Sequence, residues 1–302
     1  MSAELRSEPA PKMPTERELQ PVQPFSALVV GASGGLGAAW LESLRAQQGC
    51  AAVFASRRPG ASQPAIDDRP QGQPNPPGTA PGWAQYVSDA VGEARSTGMP
   101  SPVHPVSLDL EDPASIESVA QTVRKTIAQQ GLPPLRTVIV ASGLLHAPGL
   151  APEKSLRALD AAALQRLMAV NAIGPALLAR QVLPLMPRQG RVVFAAVSAR
   201  VGSISDNRLG GWYGYRASKA ALNQFIRTLA IEWSRTAKDS VCVGLHPGTV
   251  DTGLSRPFQG NVPEGKLFTP EQSVGHLEAV LQQLGPQHSG RCFAWDGQEV
   301  MP

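Results

Sequence analysis

The stretch Ala27-Leu28-Val29-Val30, followed without a break by Gly31-Ala32-Ser33-Gly34-Gly35-Leu36-Gly37 and then by Ala38-Ala39-Trp40-Leu41-Glu42-Ser43-Leu44-Arg45, decides the fold of this chain. Four apolar residues read as a buried parallel strand, and the eight after the glycines read as a helix. Strand, glycine loop and helix in that order form the context of a dinucleotide-binding unit. Glycines let the backbone turn tightly and approach a pyrophosphate, while the helix start offers free N–H groups and the positive end of its dipole. Gly31, Ser33, Gly34, Gly35, Leu36 and Gly37 are therefore the expected phosphate cradle. The plainer alternative, an ordinary glycine-rich turn, lacks a reason for the flanking strand and helix.

Working outward, Ala51–Ser56 is the next strand and ends in Arg57-Arg58. An acidic residue at this place would suit the ribose 2′-hydroxyl of NAD, whereas arginine suits a 2′-phosphate. NADP(H) is the expected cofactor, with NAD(H) possible; the rival reading is two arginines solvating a loop. Val103–Leu108 reads as a third strand ending at Asp109-Leu110, where a side chain would meet the adenine edge. Leu135–Val140, Arg191–Val197, Val241–Leu245 and Arg291–Trp295 read as further strands. Helical stretches lie at 116–129 and at about 161–183, the latter kinked or bounded by Pro175 and Pro184. This alternation predicts an α/β, Rossmann-type doubly wound parallel sheet of about seven strands with helices on both faces, in a single domain.

A second pattern carries the chemistry. Tyr215 and Lys219, in Gly214-Tyr215-Arg216-Ala217-Ser218-Lys219-Ala220, stand four apart and would share one helix face. A phenol is a poor proton donor at neutral pH, and a fixed positive charge beside it is expected to lower its pKa. Tyr213 is a poorer candidate, having no lysine four positions after it.

Glycine loop, Tyr-x-x-x-Lys and the intervening Asn171 together resemble the short-chain dehydrogenase/reductase family, from about Phe25 to the C-terminus. The stretch from Ser198 through Asn207, with Gly210-Gly211-Trp212-Tyr213, and the ending Phe293–Gln298 are most similar to its carbonyl-reductase and C-factor-like branch. The resemblance implies roles residue by residue. Tyr215 would be the general acid or base. Lys219 would hold the nicotinamide ribose and depress the tyrosine pKa. Asn171 would support a water-linked proton relay, and Ser198 would hydrogen-bond the substrate carbonyl. Ser142 and Gly143 match the family's Asn-Asn-Ala-Gly strand end with the asparagines lost. Pro247, Gly248, Thr249 and Val250, with Thr252, match the loop over the nicotinamide. Val30 replaces the threonine that usually opens the glycine loop. Family members often carry a Ser-Ser pair where this chain has Ser198-Ala199, so Ser203 or Ser205 are alternatives to Ser198. The resemblance also implies a homodimer or homotetramer.

Composition bounds the rest. At 302 residues and 42% hydrophobic content the chain can bury a full core, and it is long for one such domain. The surplus is expected in a disordered N-terminal tail (1–24) and a Pro/Gly-rich insertion at about 59–82, beside the expected 2′-phosphate position. That insertion reads as a cofactor-side flap or as a solvated loop. No run of eighteen uninterrupted apolar residues supports a membrane span, and no targeting signal is legible. A net charge of +3 without interleaved basic and aromatic residues gives nucleic-acid binding little footing. Cys50, Cys242 and Cys292 lack metal-ligand spacing, so no metal is expected and reduced thiols in the cytoplasm fit best. The substrate, a small carbonyl compound or alcohol, would meet loops after Gly143, around Ser203–Tyr213 and from Val250 to about Leu267. Gly248–Phe268 reads either as a lid or as an ordered surface loop. The functional rival is a nucleotide-binding signalling or sensor protein of C-factor type with weak catalysis.

Overall fold

The computed structural model describes residues 23–59 and 100–302. The expected tail and insertion fall outside these residues, apart from Gln23, Pro24 and Pro59. Among the described residues, β1 (Phe25–Val30), β2 (Cys50–Arg57), β3 (Val103–Ser107), β4 (Leu135–Val140), β5 (Val192–Val197), β6 (Ser240–His246), β9 (Cys292–Ala294) and β10 (Glu299–Val300) make one sheet. Its order is β10-β9-β6-β5-β4-β1-β2-β3. Every pairing in it is parallel except β9 with β10. The sheet therefore has one short antiparallel edge strand beyond the seven expected. A separate two-stranded ribbon joins β7 (Thr249–Val250) to β8 (Leu267–Phe268).

Strand β1 shows why the sheet needs cover on both sides. Leu28 and Val30 face one apolar cluster with Phe54, Val138 and Phe194; Ala27 and Val29 face the other with Val53, Ile139 and Val243. Successive side chains point to opposite faces, so a strand apolar throughout must be buried twice. On the first face lie α2 (Pro113–Gln130), α4 (Gly174–Val182) and α5 (Tyr213–Trp233); on the second, α1 (Gly35–Ala46) and α6 (Pro270–Gln283). Helix α5 presents Leu222, Ile226 and Ala230 to its cluster at four-residue intervals. Each large apolar side chain so removed from water contributes about 1.5–3 kcal/mol.

The predicted 161–183 helix is split. Helix α3 (Ala161–Met168) passes into a wide turn over Ala169–Ile173 before α4, where Gly174 N–H donates to the Ala169 carbonyl. Pro175 follows at once, and its missing N–H suits a stretch where the α ladder is already interrupted. The continuous run Ala161–Leu185 is long and apolar enough to cross a membrane by length and composition. Here Leu167, Leu178 and Val182 along it are buried in the protein.

The chain visits β1, β2 and β3 outward, then returns through α2 to β4 on the other side of β1. The switch point lies between β1 and β4, and ligands of such sheets bind outside the carboxyl ends there.

Candidate active site

At that switch point opens a cleft of about 690 Å³, within the range that holds a cofactor-sized ligand. Its floor is the first glycine loop. Gly31 N–H donates to Ser56 Oγ at 3.0 Å and Ala32 N–H to the Ser56 carbonyl at 3.0 Å, tying the loop to the end of β2. Gly31 sits at φ +82°, and a Cβ there would come 2.9 Å from the Ser142 nitrogen. A Cβ on Gly37 would lie 2.0 Å from the Gly31 carbonyl oxygen. Only glycine permits either approach. Helix α1 starts at Gly35 with no side-chain cap, so its first N–H groups face the cleft. Ser142 Oγ, also on the lining, is buried with no partner. Uncapped helix start, orphaned hydroxyl and a close-packed glycine turn are a donor set that fits a dinucleotide.

The structure brings most of the sequence-predicted cofactor residues together. Gly31, Ser33, Gly34, Gly35, Leu36, Arg58, Asp109, Leu110, Ser142, Gly143, Pro247, Gly248, Thr249, Val250 and Thr252 all line this cleft. Gly37 supports the loop from behind. Arg57 is exposed and does not line the cleft, so the expected arginine pair reduces to one. Arg58 is half-exposed and held by Asp109 at 2.9 Å and Glu111 at 2.6 Å. Asp109 thus braces the arginine.

Tyr215 and Lys219 lie on the opposite wall, on the buried face of α5. Lys219 Nζ stands 5.7 Å from the centre of the Tyr215 ring and donates to the Val197 carbonyl at 2.8 Å. The expectation that the lysine lowers the phenol pKa is corrected here. Burial pushes the Tyr215 hydroxyl up to about 12. Burial also pulls the Lys219 ammonium down to about 8. Desolvation disfavours both charged forms, and at Tyr215 it is the one cause of the shift.

Asn171 sits in the wide turn, 1% exposed. Its Oδ1 accepts from Leu144 N–H at 2.8 Å, and its Nδ2 donates to the Leu144 carbonyl at 2.7 Å and to Ser218 Oγ at 3.0 Å. Ser218 in turn donates to the Tyr215 carbonyl at 2.8 Å. Asn171 thereby ties the loop after β4 to the helix turn that carries the tyrosine, and it does not itself line the cleft.

Ser198 reaches the cleft, but its hydroxyl is engaged elsewhere. Oγ donates to Asn223 Oδ1 at 2.7 Å, on α5 two turns beyond Tyr215. The side chain is 2% exposed, and the Cys292 thiol lies on the same side. Ser203 hydrogen-bonds Asp206 N–H and Ser205 contacts the Pro302 carbonyl; neither lines the cleft. Ala199 lines it beside Ser198.

Among the cleft residues left unassigned in the sequence are His246, Trp212 and Phe258. His246 ends β6 with its Nδ1 buried and unpartnered, and burial pulls its pKa down to about 4. Its position just before Pro247 was the available signal. Trp212 and Phe258 fall in loops expected near substrate, but nothing in their spacing marks them as wall residues.

Comparison with known proteins agrees with this geometry. The family model for short chain dehydrogenases matches residues 85–262. The C-signal protein of Myxococcus xanthus is 38% identical over 142 residues, 47% of this chain and 80% of its own length. A 1-hydroxy-2-glutathionyl-2-methyl-3-butene dehydrogenase of Rhodococcus is 36% identical over 51% of this chain and 65% of its own. The NADPH-bound carbonyl reductase from chicken fatty liver superposes with a TM-score of 0.73 at 25% identity, covering 94% of this chain and 97% of that one. The chain belongs to the short-chain dehydrogenase family. That makes it an oxidoreductase of a family that binds a nicotinamide cofactor.

Proposed function

We propose that this protein is an NADP(H)-dependent reductase of small carbonyl compounds, with secondary alcohols as the reverse substrates. The observation that carries the reading is the convergence of Tyr215, Lys219 and the first glycine turn on one cleft at the carboxyl edge of the sheet. The dinucleotide supplies the hydride, and the protein sets orientation and proton delivery. A phenol held up to about 12 is protonated at neutral pH, which is the form required to donate to a developing alkoxide. Tyr215 Oη is the proton donor; Lys219, anchored on Val197, holds the ribose end; Asn171 keeps the Tyr215 turn in register. Arg58 supports the 2′-phosphate preference, since β2 ends without an acidic residue. Replacing Arg58 with Ala should weaken NADPH about tenfold more than NADH, whereas Arg57→Ala should not; equal losses for both nucleotides would remove the preference. The free thiols Cys50, Cys242 and Cys292 support a reducing, cytoplasmic setting. Phe225 and Ile231, apolar and partly exposed on α5, support a homo-oligomer.

A second reading has one observation in its favour. Every candidate serine hydroxyl is already engaged within the protein, which suits a nucleotide-binding signalling protein with weak chemistry. A panel of aldehydes and ketones with NADPH separates the two: cofactor binding without turnover of any member would leave only the second.

A further inference from the structure

Helix α5 begins without a cap of its own. Trp212 precedes it at φ +52° and makes no side-chain capping bond. Among the described residues it is the one non-glycine in the left-handed region, a conformation bulky residues adopt only when their surroundings impose it. The constraint comes from Glu153, in the loop between β4 and α3. Its backbone carbonyl accepts from Trp212 N–H, and both carboxylate oxygens accept from Gly214 N–H at 3.2 Å. Glu153 is 4% exposed, and its charge is answered by the positive end of α5. A Cβ on Gly214 would fall 2.8 Å from Glu153 Oε1, so this close approach is built into the sequence.

Held this way, the Trp212 ring meets Tyr215 edge-on at 6.2 Å and Phe258 at 5.0 Å. Phe258 meets His146 at 5.7 Å. Trp212 and Phe258, from two loops, thus form one aromatic wall beside the Tyr215 ring, with His146 packed against Phe258. Leu145, Val201, Leu254 and Val262 complete an apolar surround. Flat rings pack well against such edge-and-face surfaces, and alkyl chains gain less from them.

We propose that Glu153 is a positioning residue which, by fixing Trp212 in its left-handed conformation, selects carbonyl compounds bearing a flat aromatic group. The inference rests on the carbonyl-reduction reading above. It is tested by comparing wild type, E153A, E153Q and W212G on benzaldehyde and butanal with NADPH. W212G should cut the benzaldehyde-to-butanal ratio of kcat/KM at least tenfold, through KM for benzaldehyde, with KM for NADPH within twofold. Glycine adopts the positive φ freely, which offsets part of the packing lost with the ring. E153A should move the ratio the same way, and E153Q, whose amide oxygen still accepts the Gly214 N–H, should restore most of it. Ratios within twofold of wild type in both W212G and E153A would overturn the assignment, as would an E153A that slows both aldehydes equally while W212G keeps the ratio. If wild type turns over neither aldehyde, the reductase reading is decided by the wider panel above, and calorimetric affinities of the NADPH complex decide the inference alone. A tenfold loss in W212G confined to benzaldehyde upholds it; no such loss, or no binding of either aldehyde, sinks it.

Discussion

At the nucleotide end of the cleft the ligand-facing groups are largely main chain: the Gly31–Gly37 turn and the open start of α1. At the chemical end they are side chains, and most already have a partner inside the protein. Lys219 is on Val197 and Ser198 on Asn223. Among the described residues the Tyr215 hydroxyl makes no protein hydrogen bond, so it stays available to a substrate. The contrast teaches where each end is fragile. The first fails when an atom is added to the backbone; the second fails when one particular hydroxyl is removed.

The largest expected effect tests that last statement. Tyr215→Phe should lower kcat by roughly 10² to 10⁴, the range for a lost general acid, while calorimetry finds NADPH affinity within a few fold of wild type. Retained turnover would erase the distinction between the two ends. Next comes Gly31→Val, which adds a branched side chain at φ +82° against Ser142. Strain of about 1–3 kcal/mol should weaken NADPH binding by about tenfold to a hundredfold in fluorescence titration.

The pH dependence sharpens the comparison further. The Lys219 ammonium is lost as pH rises through about 8, whereas Tyr215 keeps its proton until about 12. Carbonyl reduction should therefore show a kcat/KM that is level near neutrality and declines above pH 8, with a limb belonging to the lysine. A level profile to pH 10 would mean that the lysine charge is not used. The same shifts act on stability. Between about 8 and the ordinary lysine value of 10.5 the unfolded chain holds a proton that the folded one has released, so this contribution rises with pH. For Tyr215 the order reverses between 10 and about 12, and its contribution falls.

The smallest effect is expected at Ser198. If its hydroxyl serves Asn223, Ser198→Ala costs about 1 kcal/mol of stability in a denaturant melt, and kcat drops less than tenfold. A loss of 10² or more would restore the serine to the chemistry.

The same contrast explains what was legible in the sequence. Order of elements, the double burial of β1 and the glycine turn follow from local pattern, because backbone demands fall on consecutive residues. The pairing of Tyr215 with Lys219 follows from one helix period. What spacing could not supply is where a side chain spends its polar atoms. Ser198 reads as available until Asn223, 25 residues away, accepts its hydrogen bond. The sign of the Tyr215 shift was missed for a related reason, since desolvation depends on everything packed around the ring. Arg57 and Arg58 are equivalent in a string, but Arg57 is the last residue of β2 and Arg58 the first beyond it, and Arg58 is the one that meets the cleft. Glu153 carried no signal at all, being 61 residues from the amide it holds.

The wide turn at Ala169–Ile173 takes up one residue more than an ordinary helical turn. Deleting that residue would let the α ladder reform without turning the helix beyond it, so Leu178, Ala179 and Val182 would stay in the core. Asn171 would lose the widened backbone that carries it to Leu144 and Ser218. A length change in the regular turns on either side would instead rotate everything beyond by about 100°. The fold of this segment thus tolerates a shortening that its asparagine does not.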